Sequence, residues 1–170
     1  NHFPNTKSDL FSAFIQRCSS LVAGTGYSGF MTPFVWMYLS TYEDLRCFIM
    51  ANHTLQSLVK PSYTSFFQSA IVPICAFTIR NSKADLNYHG SYFDLGYLGN
   101  AEDQSPRFMA GLRGDEMYGP KKRCAADFQQ IPGSPIAFQF PEEVFSLFQK
   151  GELIKSHVQS LAKGIFTGDN

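Results

Sequence analysis

Hydrophobic residues over positions 6–24 recur at the spacing of an amphipathic helix. The apolar positions of this repeat are Leu10, Phe11, Phe14, Ile15, Cys18, Leu21 and Val22. Thr6 and Asp9 are spaced as in a capping box, and Gly24 is a typical C-terminal stop. The pattern therefore predicts a helix whose two ends are both marked.

The next segments predict a strand–helix–strand unit. "GYSGFMTPFVWM" has the composition of a short apolar strand that leads into an aromatic turn, and "TLQSLV" that of a second strand. Between them Ser40 and Glu43 form a second capping-box pattern, which predicts a helix through "TYEDLRCFIM". Strands joined in this way run parallel.

A third strand is predicted over "AIVPICAFTI". Pro73 cannot donate a ladder hydrogen bond, which predicts that this strand lies at a sheet edge or is bulged at the proline. Only short polar residues and two phenylalanines, Phe66 and Phe67, connect it to the second strand. So short a connection favours an antiparallel return.

Patterns in the second half of the chain are weaker. "GSYFDL" and "SPIAFQF" alternate like half-buried strands, whereas "AEDQSPRFMAGLRGDE" and "GPKKRCAADF" predict loops with at most one helical turn. Pro141, Glu142 and Glu143 are typical of a helix start. A last helix ending at Gly164 is predicted from apolar residues on one face, Ile154, Val158 and Leu161. The chain is therefore expected to be α/β.

Composition allows a packed core but favours no charged partner. Of the 170 residues 44% are apolar, and the 14 Lys and Arg balance the 14 Asp and Glu. There is no run of 18 apolar residues, and the first residues do not resemble a signal peptide. We therefore expect a cytoplasmic protein without a membrane partner.

Common catalytic and metal-binding patterns have little support. "GTGYSG" matches a dinucleotide fingerprint, but a predicted helix precedes it and a strand follows, which is the reverse of the order that phosphate binding needs. The four cysteines and four histidines are scattered, which predicts no metal site and free, mostly buried thiols. Lys121, Lys122 and Arg123 fit either a solvated loop or contacts to a phosphate backbone.

Phe66 and Phe67 allow two interpretations. Both rings cap the core between two strands, or one lies at the open end of the sheet and offers a flat face to a planar ligand such as a nucleobase. The residues alone leave both interpretations open.

Residues 6–80 resemble, in motif order, the second half of the catalytic domain of gamma-class adenine-N6 DNA methyltransferases. The resemblance rests on "KSDLFSAFIQRCSSLVAGTGYSGFMTPFVWMYLSTYEDLRCFI" and "FFQSAIVPICAFTI". "IPGSPIAF" and "KGIFTGDN" resemble segments of the large PglX methyltransferases of BREX phage-defence systems and of type IIG-like relatives. The resemblance implies a Rossmann-like sheet, S-adenosylmethionine as methyl donor, and an adenine flipped out of double-stranded DNA.

Site residues follow from this resemblance. It implies that Asp9, Leu10, Phe11 or Phe14 lies against the donor's adenosine. It also implies that Phe66, or failing that Phe67, stacks on the flipped adenine. If DNA is the substrate, Lys121, Lys122 and Arg123 are the candidates for contacts to its backbone.

The chain departs from the family by lacking two upstream elements. Neither the catalytic Asn-Pro-Pro-Tyr or Asn-Pro-Pro-Phe motif nor the glycine turn that holds the donor is present, so no catalytic residue is assigned. We therefore expect a fragment that is inactive alone and whose first strand has an exposed edge, open to self-association.

The expected organisation has three parts. Residues 1–80 form the methyltransferase half-domain, 81–140 a β-rich extension, and 141–170 the helical start of a target-recognition region. Two alternatives stay open: a non-catalytic DNA-positioning or protein-interaction module, and a methyltransferase acting on RNA or protein.

Overall fold

The computed structural model describes residues 9–62, 73–85, 87–96 and 101–151. Its helices and strands are α1 (Leu10–Ser19), β1 (Tyr27–Pro33), α2 (Glu43–Asn52), β2 (Thr54–Lys60), β3 (Ile74–Arg80), β4 (Gly90–Asp94), α3 (Ala101–Leu112), β5 (Lys121–Arg123), α4 (Ala125–Gln129) and α5 (Glu142–Lys150). Two 3₁₀ turns, Phe34–Met37 and Ser40–Tyr42, connect β1 to α2.

The five strands form one mixed sheet in the order β1-β3-β2-β4-β5. β3 pairs antiparallel with both β1 and β2, so β1 and β2 point the same way, and β4 runs parallel to β2. The predicted strand–helix–strand unit and the antiparallel return are confirmed. The edge position predicted for the third strand is wrong, because β3 lies between two partners.

Pro73 is compatible with the central position of β3 because it lies just before the strand and not within it. The strand begins at Ile74, and the Pro73 carbonyl accepts a hydrogen bond from the Phe34 amide at 3.1 Å. Proline thus supplies only an acceptor at a position where no ladder donor is needed. The register shift of this sheet lies instead in β2, between Leu55 and Ser57.

One face of the sheet carries the core. Phe77 of β3 lies 5.2 Å from the Phe30 ring and 4.8 Å from the Trp36 ring, centroid to centroid. Helices α1 and α2 contribute Ile15, Leu45 and Ile49, all at most 2% exposed, to the same cluster. Burial of these side chains is the main stabilisation of the fold.

Residues beyond position 80 join the same sheet and the same core. Tyr92 of β4 packs on Phe128 and Phe138 at 5.5 and 5.3 Å, and Phe145 of α5 lies 6.4 Å from Phe128. The predicted half-domain and the following extension therefore share one hydrophobic cluster.

Arg46 of α2 links the two halves. It is 1% exposed and donates to three carbonyl oxygens: Gly133 through Nε and Nη2, and Trp36 and Leu39 through Nη1. Burial lowers the pKa of Arg46, and the nearby Glu43 carboxylate opposes this. Gly133 has a φ of 78°, a left-handed conformation that glycine adopts without strain.

Several local predictions are wrong. Residues 101–112 form a helix despite Pro106, and Phe108 packs on Phe93 at 4.8 Å. "SPIAFQF" is not a strand; three consecutive residues, Ile136, Ala137 and Phe138, are buried in irregular backbone. The loop predicted around residues 121–123 is strand β5.

Helix ends also differ from the capping patterns. α2 begins at Glu43 after a 3₁₀ turn, without a side-chain cap from Ser40. α1 ends at Ser19, well before Gly24, and Thr6 lies outside the described residues. The helix start near Pro141 is confirmed, with Glu142 and Glu143 in its first turn. The predicted helix over 154–164 lies outside the described residues.

Candidate functional site

The carboxyl ends of β1, β2 and β4 meet at one edge of the sheet, which is where ligands bind in open α/β folds. α1 begins at this edge. Its last turn lies at the opposite edge, because Asn81, just after antiparallel β3, donates to the carbonyls of Ser19 and Val22 at 2.9 Å. The ring of Phe11 in its first turn lies 5.5 Å from Tyr42, which precedes α2.

The structure divides the four residues predicted to face the methyl donor. Leu10 and Phe14 lie one helical turn apart and are 70% and 59% exposed, and Asp9 is exposed before them. Phe11 is instead half-buried against Tyr42. The pKa of Tyr42 is raised by burial and, to a smaller extent, by the charge of Asp9.

A lysine, an aspartate and a phenylalanine form a cluster at the same edge. Lys60 Nζ lies 3.2 Å from Asp94 Oδ1 and 5.9 Å from the centroid of the Phe34 ring. Asp94 also accepts a hydrogen bond from the Gly96 amide at 2.9 Å. Both charged side chains remain partly exposed, at 16% and 20%. The edge therefore presents an ammonium group over an aromatic ring.

This cluster was missed by sequence reasoning, although a signal existed. Lys60 follows the predicted strand "TLQSLV", and Asp94 stands near the end of "GSYFDL". Charged residues at the carboxyl ends of predicted parallel strands are candidates for an α/β site. What the sequence did not reveal is that β4 pairs with β2 and so brings the two residues together.

Phe66 and Phe67 lie outside the described residues, but the positions that flank their segment are described. The Ser62 amide donates to Gln104 Oε1 at 3.0 Å, and Gln104 Nε2 donates to Ser62 Oγ at 2.8 Å. On the return, the Pro73 carbonyl accepts from the Phe34 amide. The segment that carries both rings therefore leaves and rejoins the sheet at the candidate edge.

The basic residues of β5 occupy a different part of the sheet. Lys121 Nζ donates to the Gln139 carbonyl and Lys122 Nζ to Ser91 Oγ, each at 2.7 Å. Arg123 donates to the Phe140 carbonyl and covers the Phe145 ring at 5.2 Å. β5 is antiparallel to β4, with Arg123 opposite Gly90 at the amino end of β4. The two lysines are exposed, whereas Arg123 is partly buried and contacts α5 through the Phe145 ring.

The thiols and histidines give no second reactive centre in the described part of the chain. No group of three His, Cys, Asp or Glu side chains there could hold a metal ion. All four thiols are free, as predicted, but only Cys75 is buried, and burial raises its pKa to about 11. A thiol with so high a pKa is a poor nucleophile.

His53 stands out among the buried polar groups. Neither of its ring nitrogens has a hydrogen-bond partner among the described residues, and the ring meets Phe48 edge-on at 5.1 Å. Burial lowers its pKa. It follows α2 at the amino end of β2, so it lies at the edge opposite the candidate site.

Sequence comparisons agree with the predicted resemblance. The family model of the Eco57I restriction-modification methylase matches residues 1–67. The chain is 25% identical over 171 residues to the adenine-specific methyltransferase PglX of Lacticaseibacillus casei (strain Zhang), covering 99% of this chain and 14% of that protein. It is 30% identical over 138 residues to the adenine-specific methyltransferase BrxX of Escherichia coli O9:H4 (strain HS), covering 80% and 11%. The chain thus spans a small part of these relatives.

Structural comparisons support the fold. The modification subunit of a putative type I restriction enzyme from Vibrio vulnificus YJ016 superposes with a TM-score of 0.58 and 10% identity, over 74% of this chain and 30% of that one. A chain from a type I restriction-modification complex gives 0.52 and 12%, over 86% and 37%. At such identities the likeness shows fold alone, and the predicted Rossmann-like methyltransferase sheet is confirmed.

No helix in the described part of the chain is long and apolar enough to cross a membrane.

Proposed function

We propose that the chain is part of an adenine-specific DNA methyltransferase that acts in restriction-modification or phage defence. The observation that carries the proposal is the candidate edge, where the start of α1, the Lys60 cluster and the described residues that flank the segment with Phe66 and Phe67 lie. The PglX and BrxX matches support adenine as the substrate.

The exposed side chains of α1 fit one wall of a donor site. Leu10 and Phe14 offer an apolar surface one turn long beside the Asp9 carboxylate, which suits an adenine ring and its ribose hydroxyls. S-adenosylmethionine supplies the transferable methyl group when bound. The chain lacks an Asn-Pro-Pro-Tyr type motif. The remaining donor contacts and the catalytic groups therefore belong to the rest of the polypeptide, and this chain alone is inactive.

The base-stacking role falls to Phe66, with Phe67 as its neighbour. A flipped adenine presents a flat face on which an aromatic ring can stack. Stacking of this kind does not discriminate between bases. Lys60 precedes the same segment, and its ammonium, which is paired with Asp94 at 3.2 Å, is a candidate contact for a DNA phosphate. The exposed β5 lysines provide a second backbone contact.

Labelled methyl transfer to unmodified double-stranded DNA tests the proposal in the complete polypeptide. In the Phe66→Ala variant the rate falls about 10- to 100-fold, because stacking contributes about 1–3 kcal/mol per base. Phe67→Ala is the matched control and changes the rate less. Thermal unfolding and donor affinity stay close to those of the parent protein.

Other results of this experiment would favour one of the alternative interpretations. If Phe66→Ala lowers the melting temperature as well as the methyl-transfer rate, the ring of Phe66 belongs to the hydrophobic core. Methyl transfer to RNA or protein, but not to DNA, contradicts the substrate. DNA binding without any transfer favours the non-catalytic DNA-positioning module.

The outer edge of β1 gives the isolated chain a route to self-association. β1 has a partner only on its β3 side among the described strands, and Tyr27 and Met31 beside that edge are 58% and 62% exposed. Such an edge is a template for pairing with another chain.

A further inference from the structure

Residues 131–140 lie between α4 and α5 and contain no helix or strand; we call them the connecting segment. They are bonded to residues 34–42, the β1–α2 turn. The Ile136 amide donates to the Met37 carbonyl at 2.8 Å. Arg46 links the same two parts, because its buried guanidinium bonds one carbonyl of the connecting segment and two of the turn. The two parts therefore form one hydrogen-bonded unit.

Gln139 forms a further link between these parts and also reaches β5. Its Nε2 donates to Tyr38 Oη at 2.6 Å, and its carbonyl accepts from Lys121 Nζ at 2.7 Å. The next carbonyl along the chain, that of Phe140, accepts from Arg123 Nη2 at 2.7 Å. One residue thus joins the basic strand β5 to the β1–α2 turn.

The β1–α2 turn begins at the candidate edge. Its first residue, Phe34, follows the carboxyl end of β1, and its ring meets the Tyr38 ring edge-on at 5.7 Å, centroid to centroid. The Lys60 ammonium lies 5.9 Å from the centroid of the same Phe34 ring. A displacement of Tyr38 would therefore move the ring on which the Lys60 ammonium lies.

The bond between Gln139 and Tyr38 suits positioning better than it suits stability. Both residues are only partly buried, and a neutral hydrogen bond that water can replace adds little to the free energy of unfolding. A reaction site, in contrast, needs its side chains held within about 0.5 Å of the productive geometry by packing and hydrogen bonds. Loss of such a contact at a distance from the chemistry lowers the rate without preventing folding.

We propose that Gln139 is a positioning residue for methyl transfer, whose hydrogen bond to Tyr38 holds the β1–α2 turn in the geometry that the candidate edge requires. It acts through Tyr38 and Phe34 and does not touch the donor or the adenine. Lys121 completes the arrangement, because an ammonium has three donors and can bond a DNA phosphate while it bonds the Gln139 carbonyl. This inference deepens the proposed function and rests on it, because it concerns the same reaction.

Single-turnover methyl transfer by the complete polypeptide, at saturating DNA and donor, tests this role. Gln139→Met keeps the size of the side chain and the main-chain carbonyl but removes the donor to Tyr38. It is expected to lower the rate constant about 2- to 10-fold, the range that one neutral hydrogen bond gives. The Kd values for DNA and donor stay near those of the parent. Gln129→Met, at the exposed end of α4, is the matched control and leaves the rate unchanged.

Tyr38→Phe removes the acceptor and gives a second variant of the same bond. If the two residues act through this bond, the double variant is no slower than the slower single variant. Losses that multiply in the double variant would show that the residues act separately, which overturns the inference. A lower melting temperature with an unchanged rate also overturns it, because the bond would then serve folding alone.

Hydrogen exchange, followed by mass spectrometry on the same proteins, needs no turnover and separates the two proposals. Gln139→Met is expected to speed exchange in peptides that cover residues 34–42, whereas Gln129→Met is not. Faster exchange in a protein that methylates nothing contradicts the proposed function but not the contact that holds the turn. Methyl transfer to adenine at the parent rate in Gln139→Met, with unchanged exchange, contradicts the positioning role but not the function.

Discussion

Lys121 is the residue on which the proposed backbone contact of β5 is most directly tested. It is exposed on the last strand of the sheet, and among the described residues its ammonium donates only to the Gln139 carbonyl. In the complete polypeptide, Lys121→Ala is expected to weaken binding equally for all DNA sequences. It should also lower the slope of log affinity against log salt concentration by about 1.

Fluorescence anisotropy with labelled DNA at several salt concentrations measures this slope. Lys83→Ala removes an exposed lysine from the loop after β3 and serves as the control for net charge. An unchanged slope in Lys121→Ala would mean that Lys121 does not contact DNA and has only a structural role through its hydrogen bond to Gln139.

His53 predicts how stability depends on pH. Burial lowers its pKa, so folding favours the neutral ring, and protonation favours the unfolded chain, where the pKa is about 6.5. Its contribution to the free energy of unfolding is therefore fully present above pH 6.5 and is lost as the pH falls toward the lower folded pKa.

Urea denaturation at about pH 7.5 and about pH 5.5 measures this loss. His53→Phe keeps the ring beside Phe48 and is expected to lose less stability on acidification than the parent chain. Parallel losses in the two proteins would assign the acid sensitivity to other groups.

Single residues also show where sequence reasoning about the site stops. The resemblance predicted a donor-facing set at the start of α1, but Leu10, Phe11 and Phe14 all belong to the apolar pattern of this helix, and periodicity cannot tell which of them face the core. The structure buries half of Phe11 and exposes Leu10 and Phe14. Lys60 and Asp94 needed knowledge of which strands are neighbours, which no local pattern contains.

At the scale of elements, Arg46 joins α2 to the turn at Gly133. Arg46→Ala leaves the carbonyls of Gly133, Trp36 and Leu39 without their buried donor. Because each buried acceptor left unsatisfied costs about 1–3 kcal/mol, the free energy of unfolding is expected to fall by about 3 kcal/mol or more. Urea denaturation of the 170-residue chain measures the change.

Arg46→Lys is informative because it keeps the charge but not the planar fork. It is expected to recover only part of the loss. Arg17→Ala, which removes an exposed arginine bonded to Ser20, is the control and changes stability by less than about 0.5 kcal/mol. If Arg46→Ala also lowered the free energy of unfolding by less than about 0.5 kcal/mol, water would be replacing the guanidinium as donor to these carbonyls.

The elements that sequence predicted correctly are those with strong local signals. β1, α2 and β2 follow from local patterns, whereas α3 was missed because residues 101–116 were predicted to form a loop with at most one helical turn. Packing of Phe108 on Phe93 and the bonds from Gln104 to Ser62 supply tertiary support that no local propensity contains. β3 was predicted to lie at an edge or to be bulged, because Pro73 was counted inside the strand.

For the whole molecule, family resemblance predicted the fold more fully than residue patterns did. Periodicity indicated an α/β chain, but the order β1-β3-β2, with an antiparallel strand between two parallel ones, depends on long-range pairing. The same is true of β4 and β5, which extend the sheet across the boundary predicted at residue 80. The division into three functional segments stays a prediction.

The open edge of β1 leads to a prediction about the state of the isolated chain. Since β1 ends the described sheet with exposed Met31 beside its free edge, the 170-residue chain should associate as its concentration rises, because pairing satisfies amides and carbonyls that water now solvates. Sedimentation velocity over a concentration series measures the association.

Met31→Lys adds a charge at this edge and should shift the chain toward the monomer. Met117→Lys changes net charge equally at a 77% exposed position on the loop after α3 and should not. If both lysine variants weaken association to the same extent, net charge rather than the β1 edge controls it.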